Sequence, residues 1–188
     1  MPTLKANIHR FVLILLVLAL PRWTAAETKV FPESSTPRTL AEWRPSPDGK
    51  ISVCFAVAKT TFGPKETITV RCAVKNTSDQ PLTLLRPFGD VYYALAAGLV
   101  ILGPEGAIPY RGAIKDHVLG TGSFIALPAH SVADETLEIP ATLFPGLGQP
   151  GLYTIGYRFV SGGYPKQPGP DNLWLGQVKT ATLTILVQ

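Results

Sequence analysis

Beyond Lys50 the chain alternates apolar and polar positions with a period of two. Ile51, Val53, Phe55 and Val57 interleave with Ser52, Cys54, Ala56 and Ala58, and Ile68, Val70, Cys72 and Val74 interleave with Thr67, Thr69, Arg71 and Ala73. Successive side chains on a strand point to opposite faces, so each run predicts a half-buried strand. Phe62-Gly63-Pro64-Lys65 between them predicts a hairpin. Asn76 to Pro81 supplies turn chemistry, and Leu82 to Leu85 opens a third strand. Further strands are predicted over Val91 to Leu102, Ile108 to Arg111, Ser123 to Leu127, Ser131 to Ile139, Leu152 to Val160 and Lys179 to Val187.

No stretch repeats apolar residues at helical spacing for three turns, and 17 glycines with 18 prolines punctuate the chain throughout. Many short strands with frequent turns predict an all-β domain, an immunoglobulin-like antiparallel β-sandwich of about seven to nine strands. A closed barrel would favour short hairpins throughout, whereas Ser161 to Pro170 is a long Gly- and Pro-laden connection of the kind found at the ends of sandwiches.

The first 50 residues read differently. Phe11 to Leu20 is an uncharged apolar run behind Lys5, His9 and Arg10, with Thr24-Ala25-Ala26 after it. Ten residues fall short of the roughly 20 needed to cross a hydrocarbon layer, and small residues follow where a signal peptidase cuts, so residues 1–26 are predicted to be a removed secretory signal. Residues 27–50 carry Pro32, Pro37, Pro45 and Pro47 and are predicted to be a flexible arm, with Trp43 packing it onto a domain spanning 51–188.

Processing also changes the charge. The formal net charge of +4 includes Lys5, Arg10 and Arg22, and their removal leaves fourteen basic groups against thirteen acidic ones. A near-neutral domain has no electrostatic footprint for nucleic acid, and no later apolar run is long enough for a membrane span. The expected setting is secreted or periplasmic.

Candidate chemistry is sparse. Cys54 and Cys72 are the only cysteines, and in an oxidising compartment they are read first as a disulfide. Pairing about Gly63 sets them opposite each other, but Cys72 lies in the apolar phase of its strand and Cys54 lies out of phase in its own. A bridge therefore needs a shifted register or a bulge, and two thiols are the alternative. If formed, it closes a loop with 17 residues between its ends and contributes about 3 kcal/mol.

His117, beside Asp116, and His130 sit among turn residues and read as surface histidines. No set of ligands at zinc spacing accompanies them. Asp134, Glu135 and Glu138 read as the solvated face of a strand. Asn76-Thr77-Ser78 matches a glycosylation sequon, although its turn chemistry needs no glycan. Tyr164 and Trp174 flank the Gly/Pro-rich connection and form a candidate binding loop; the alternative for Trp174 is a place at the edge of the core.

Taken in order, the segments Val70-x-Cys72-x-Val74-x-Asn76-Thr77-x-Asp79-x-Pro81-Leu82-x-Leu84-Leu85, Ile108-Pro109-Tyr110-x-Gly112, Phe124-x-x-Leu127 and Gly151-Leu152-Tyr153-Thr154-Ile155-x-Tyr157 form a succession. It resembles the sandwich-like N-terminal pro-region of secreted zinc metalloendopeptidases of the deuterolysin and peptidyl-lysine type, over about Lys50 to Val160. The zinc-binding helix that follows in those peptidases has no counterpart in these 188 residues, so no catalytic or metal residue carries over.

The resemblance implies a domain of the kind that covers or assists a peptidase. Together with the pattern, it predicts an exported, non-enzymatic binding or accessory domain that needs no cofactor. Its expected partner is another secreted or periplasmic protein, a metallopeptidase among the candidates. The alternative is a small-ligand-binding or hydrolytic domain in which Asp116, His117 and Glu138 converge on a pocket.

Overall fold

The computed structural model describes residues 39–40, 42–89, 91–113, 120–162 and 170–188. The chain is an all-β sandwich. Its first sheet contains β1 (Thr39–Leu40), β2 (Arg44–Pro45), β3 (Ile51–Val57), β5 (Ile68–Asn76) and β10 (Val132–Ile139), with β3 pairing antiparallel to β5 and β5 to β10. The second contains β4 (Thr61–Phe62), β13 (Leu183–Val187), β11 (Gly151–Ser161), β7 (Leu99–Gly103) and β8 (Gly106–Ala107), and β12 (Gly176–Lys179) also pairs with β11. A small ribbon of β6 (Leu82–Leu85) and β9 (Phe124–Leu127) lies on the path between the sheets.

After β3 the chain touches the second sheet at β4 and returns for β5; it then enters the second sheet again at β7, returns for β10 and crosses once more to β11. In immunoglobulin terms β3, β5 and β10 stand as A, B and E, and β7, β11 and β13 as C, F and G. The predicted fold class is the one observed.

Alternation explains the core. Ile68, Val70, Cys72, Val74 and Asn76 of β5 are buried, and their β3 partners Val57, Phe55, Val53 and Ile51 share that face. From the second sheet Leu99, Ile101, Tyr153, Ile155, Tyr157, Phe159, Leu183, Ile185 and Val187 point back at them. At roughly 25 cal/mol per Å2 of apolar surface removed from water, such interdigitation is the main stabilising term of a fold this size.

Three expectations about elements change. Residues 91–98 form a short α-turn, α1 (Val91–Tyr93), continuing as a π-helical turn over Ala94–Gly98, and the strand begins only at Leu99. Ala94, Ala96 and Ala97 are strong helix formers, and Gly98 presses against the Tyr157 ring: a Cβ there would lie 2.5 Å from the ring's Cε2. The strand expected at 108–111 is instead the two-residue β8 ending at Ala107, with Pro109 just after it. The predicted arm joins the sheet at its described end, where Thr39 and Leu40 pair with Val57 and Ala56, and Arg44 and Pro45 with Val53 and Ser52. Pro45 is tolerated because β2 lies at the sheet edge. Residues 1–38, and with them the predicted signal segment, lie outside the described residues.

The turn from the first sheet into β11 is fixed by Tyr153. Its hydroxyl lies 2.6 Å from both the Gly146 and the Gln149 carbonyl oxygens, just before the strand that Tyr153 opens. A tyrosine at the start of strand F, bonding back to the preceding loop, is the corner that many immunoglobulin-like sandwiches use. Burial, helped by the nearby Glu105 charge, raises its phenol pKa and keeps the donor protonated. Replacing Tyr153 by Phe removes that donor and leaves two carbonyls without it; the expected cost is about 1–2 kcal/mol, read as a lower urea midpoint at constant slope. An unchanged midpoint would show that the corner contributes nothing.

Candidate functional site

Cys54 faces Ala73 and Cys72 faces Phe55 across the β3–β5 ladder. Neighbouring positions on a strand point to opposite faces, so Cys72 enters the core while Cys54 lies on the other side of the sheet. The expected disulfide is absent, and both cysteines are buried thiols. A hairpin symmetric about Gly63 would have aligned them; the observed register is shifted by one residue and sets Val70, Cys72 and Val74 opposite Val57, Phe55 and Val53 on the inner face, burial that is worth more than one bridge. Burial, reinforced by Cys54, Glu135 and Asp134, pushes the Cys72 thiol well above its ordinary range.

Trp174 is buried rather than displayed. Its ring stacks on Phe159 at 6.2 Å between centroids, its backbone N–H donates to the Thr83 carbonyl at 2.8 Å, and its indole N–H donates to Asp48 Oδ2 at 2.9 Å. Of the two readings of Trp174, the core edge is the one observed, and its place as a binding-loop tip is corrected. The indole has one donor, and Asp48 supplies an acceptor held by Ser46 Oγ at 2.6 Å. Tyr164, the other half of that loop, lies outside the described residues, as do Asp116 and His117.

The acids of β10 divide between its two faces. Asp134 and Glu138 lie outward, Asp134 paired with Arg71. Glu135 shares the inner face with Ala133 and Leu137, against the expectation that all three acids point to solvent. Its Oε1 accepts from Arg86 Nη1 at 2.9 Å and its Oε2 from the Phe88 N–H at 2.9 Å, so the carboxylate fastens the crossover after β6 to the edge of β10. An inward charge on an edge strand also discourages a further strand from adding there. His130 occupies a turn at φ 59°, 3.0 Å from Asp79, and is exposed. Among the described residues no three of His, Cys, Asp and Glu are grouped to hold a metal ion.

Asn76, read as a sequon asparagine, is completely buried. Its Nδ2 donates to the carbonyls of Gln80, Leu127 and Pro128 at 2.8, 3.0 and 3.0 Å, and its Oδ1 accepts from the Ser78 N–H and hydroxyl. One side chain thus closes the turn after β5 and ties it to the end of β9. The folded chain offers no amide nitrogen here for a glycan.

Among the described residues, a cleft, a groove and an exposed sheet face are further candidates. A cleft of about 670 Å3 at the Tyr153 corner is lined by Pro104, Glu105, Pro109, Pro145 and Pro150. Glu105 is the one ionisable group among its lining residues besides the already bonded Tyr153, and the lining holds no base–nucleophile pair. A groove of about 760 Å3 beside the β11–β12 connection is lined by Val160, Pro170, Leu173 and Leu175. Leu175 is 66% exposed, the most exposed of the large apolar side chains described.

The flat face is the outer side of the second sheet. Val100 and Leu102 of β7 and Leu152 of β11 are 48%, 44% and 64% exposed. Sequence reasoning missed this face, although the unbroken apolar run Leu99-Val100-Ile101-Leu102 carries its signal: a strand with only one buried face alternates, and this one does not.

No family model matches the chain, and no curated protein matches it. Among solved structures, a β-glucosidase from Erythrobacter marinus aligns at TM-score 0.40 and 14% identity, covering 73% of this chain and 16% of that one. The β-glucosidase of Listeria innocua bound to glucose gives 0.41 and 13%, with the same coverage. The ApaA protein of Bordetella pertussis gives 0.36 and 15%, covering 80% of this chain and 94% of that one. The chain thus spans about one sixth of the β-glucosidases it aligns with and likeness at this level carries no argument about activity.

Two measurements follow from these placements. Under native conditions, without reductant, an alkylating reagent should leave both cysteines unmodified, and after unfolding it should label both. A chain that takes no label when unfolded, with a mass short by two hydrogens, would restore the bridge. Asn76→Ala strands three carbonyls at a fully buried site and is expected to cost about 3 kcal/mol in urea unfolding. A cost below about 0.5 kcal/mol, the range of an ordinary surface substitution, would mean that water replaces the amide.

Proposed function

We propose that this chain is an exported, non-enzymatic immunoglobulin-like domain that binds another protein, as an accessory or inhibitor-like module. The observation that carries the reading is Leu175. Its side chain is largely exposed, yet its backbone is framed by buried Trp174 on one side and by β12 on the other. Leu173 just before it bridges to Thr83 of the β6–β9 ribbon.

An apolar side chain on a fixed backbone, beside a groove of about 760 Å3, loses little entropy on docking. That is how an interface anchor is built. Its position also agrees with the connection between the last strands, where loops of sandwich domains recognise partners.

The resemblance to peptidase pro-regions supports a peptidase as the partner, and the apolar leader supports a secreted or periplasmic meeting place. The Pro-lined cleft with its lone Glu105 supports no hydrolytic alternative.

The test uses the chain as bait in its native secreted or periplasmic fraction, beside Leu175→Glu. A protein retained by the wild type and lost at least tenfold with the variant is the expected result, because a charge in the anchor position must be desolvated on docking. An identical set of retained proteins for both baits would sink the reading. Adding the chain to a deuterolysin-type metallopeptidase tests the narrower version: no complex and unchanged peptidase activity would remove it.

A further inference from the structure

The floor of the Leu175 groove runs on into a charged end. On the outer side of the second sheet Val160 stands opposite Gln177, and both line the groove; the next outward pair along the same two strands is Arg158 and Lys179. Outward positions recur every second residue, so the two rows lie about 7 Å apart. Leu175, two residues before Gln177, continues the same alternation at the other end of the groove. The surface therefore passes from apolar to doubly cationic within the reach of a short extended segment.

Three observations single out the cationic end. Arg158 and Lys179 face each other directly across antiparallel strands, where like charges are unfavourable. Neither belongs to an ion pair among the described residues, whereas Arg71, the other half-buried arginine described, is paired with Asp134. Arg158 also carries, at Nε, the one buried side-chain nitrogen or oxygen without a partner among the described residues. Its Nη2 donates to the Ala97 carbonyl at 2.9 Å, which fixes the guanidinium beside the π-helical turn and leaves the Nη1 end of the fork unbonded. A sheet built only for its own stability would keep an acid within reach of such an arginine, as the first sheet does for Arg71.

We infer that Arg158 and Lys179 receive a carboxylate from the partner that docks in the Leu175 groove. The partner presents an extended acidic segment, with an apolar side chain in the groove and an aspartate or glutamate two residues along, over the cationic row. This rests on the partner-binding reading and adds the partner's chemistry to it. The spacing comes from the sheet: an extended segment lying along β11 and β12 repeats its side chains with their own period, so its residues i and i+2 fall on neighbouring rows.

A carboxylate suits the two donors together. Arg158, held by Ala97, supplies a fixed direction, and exposed Lys179 closes over the anion on its flexible stem. Charge selects the occupant. A neutral segment of the same shape would leave the facing cations uncompensated, and a basic one would add a third.

The experiment titrates the isotope-labelled full chain, recovered from an exporting host, with the blocked peptide Ser-Ser-Leu-Ser-Glu-Ser-Ser and follows amide chemical shifts. With so few contacts, binding is expected at about 1 mM. The glutamate peptide should shift the amides of Val160, Gln177 and Lys179. The same peptide with glutamine in place of glutamate should bind about tenfold more weakly, and with lysine there more weakly still. Raising the salt from about 0.05 M to about 0.5 M should erase most of the difference. Leu175→Glu should weaken all of the peptides.

Lys179→Gln should weaken the glutamate peptide about threefold, and Lys179→Glu at least about tenfold, because the latter sets a carboxylate of the chain's own opposite Arg158. Since Lys179→Glu exchanges a like-charge pair for an opposite one, its urea midpoint should equal or exceed that of the wild type, which separates lost binding from lost folding. Glutamate and glutamine peptides that bind equally, a glutamate peptide that survives Lys179→Glu, or no shift at about 10 mM peptide overturns the inference. Laurate that displaces the glutamate peptide and binds more tightly overturns it in favour of a lipid-like anion. A Leu175-dependent protein that a Lys179→Glu bait retains as well as the wild type overturns the acidic partner alone and leaves the partner-binding reading standing; when no Leu175-dependent protein is captured and no peptide binds, both fall.

Discussion

Tyr157 is the contact on which the sandwich is assembled. It projects from β11 of the second sheet into the core, where it stacks on Phe55 of the first sheet at 6.1 Å and meets Phe88 of the crossover edge-on at 5.1 Å. Its hydroxyl donates to the Pro87 carbonyl, and burial holds the phenol far above its usual pKa, so the proton that makes this bond stays in place. One side chain thereby joins both sheets and the segment that passes between them. The backbone around it is equally committed: the Tyr157 N–H donates to Thr180 Oγ1, and the Thr180 N–H to the Tyr157 carbonyl.

Other constraints follow from that placement. The ring lies against Gly98, and only glycine leaves room for it there, so the chain coils through a π-helical turn before straightening into β7. Glu135 turns inward because the crossover that meets the Tyr157 ring presents the Phe88 N–H and the Arg86 guanidinium to β10. Asn76 and Tyr153 complete the frame from opposite ends of the molecule, one satisfying the carbonyls where β5 turns toward β6, the other those where the chain turns into β11. Each is a buried polar group that donates to backbone carbonyls. Such groups specify one loop conformation because every alternative leaves carbonyls unmet.

This distribution explains what could be read from the sequence. Period-two alternation over Ile51–Val57 and Ile68–Asn76 records local physics, which face of a strand is buried, and it predicted these strands and their antiparallel pairing correctly, but not β4, which the connection between them sends to the other sheet. The sandwich class follows from the same signal repeated. Register does not, because it depends on the turn and on which residues the opposite sheet accepts. A single step of register separated Cys54 from Cys72. Trp174 and Glu135 were misassigned for a related reason: each looks surface-like by its neighbours, and each is drawn inward by a distant partner, Asp48 in one case and Arg86 with Phe88 in the other. The stretch 91–98 read as strand because its apolar residues form an unbroken run, which suits a buried helical turn equally well.

The outer face of the second sheet poses a different question from the core. Its inner residues are accounted for by the fold; Val100, Leu102, Leu152 and Leu186 are not, because replacing them with polar residues would leave the core contacts of Leu99, Ile101, Tyr153 and Ile185 untouched. The first sheet manages the same problem differently. Its outer positions on β5 and β10 include Arg71, Lys75, Asp134 and Glu138, with Arg71 and Asp134 paired across the strands. One sheet of this domain is thus finished for water by interleaved charges of both signs, while the centre of the other is uncharged, with Thr154 and Thr184 among Val100, Leu102, Leu152 and Leu186. An exposed apolar sheet costs solubility unless something covers it. The contrast between the two outer faces within one chain therefore locates the surface whose composition the isolated fold does not require.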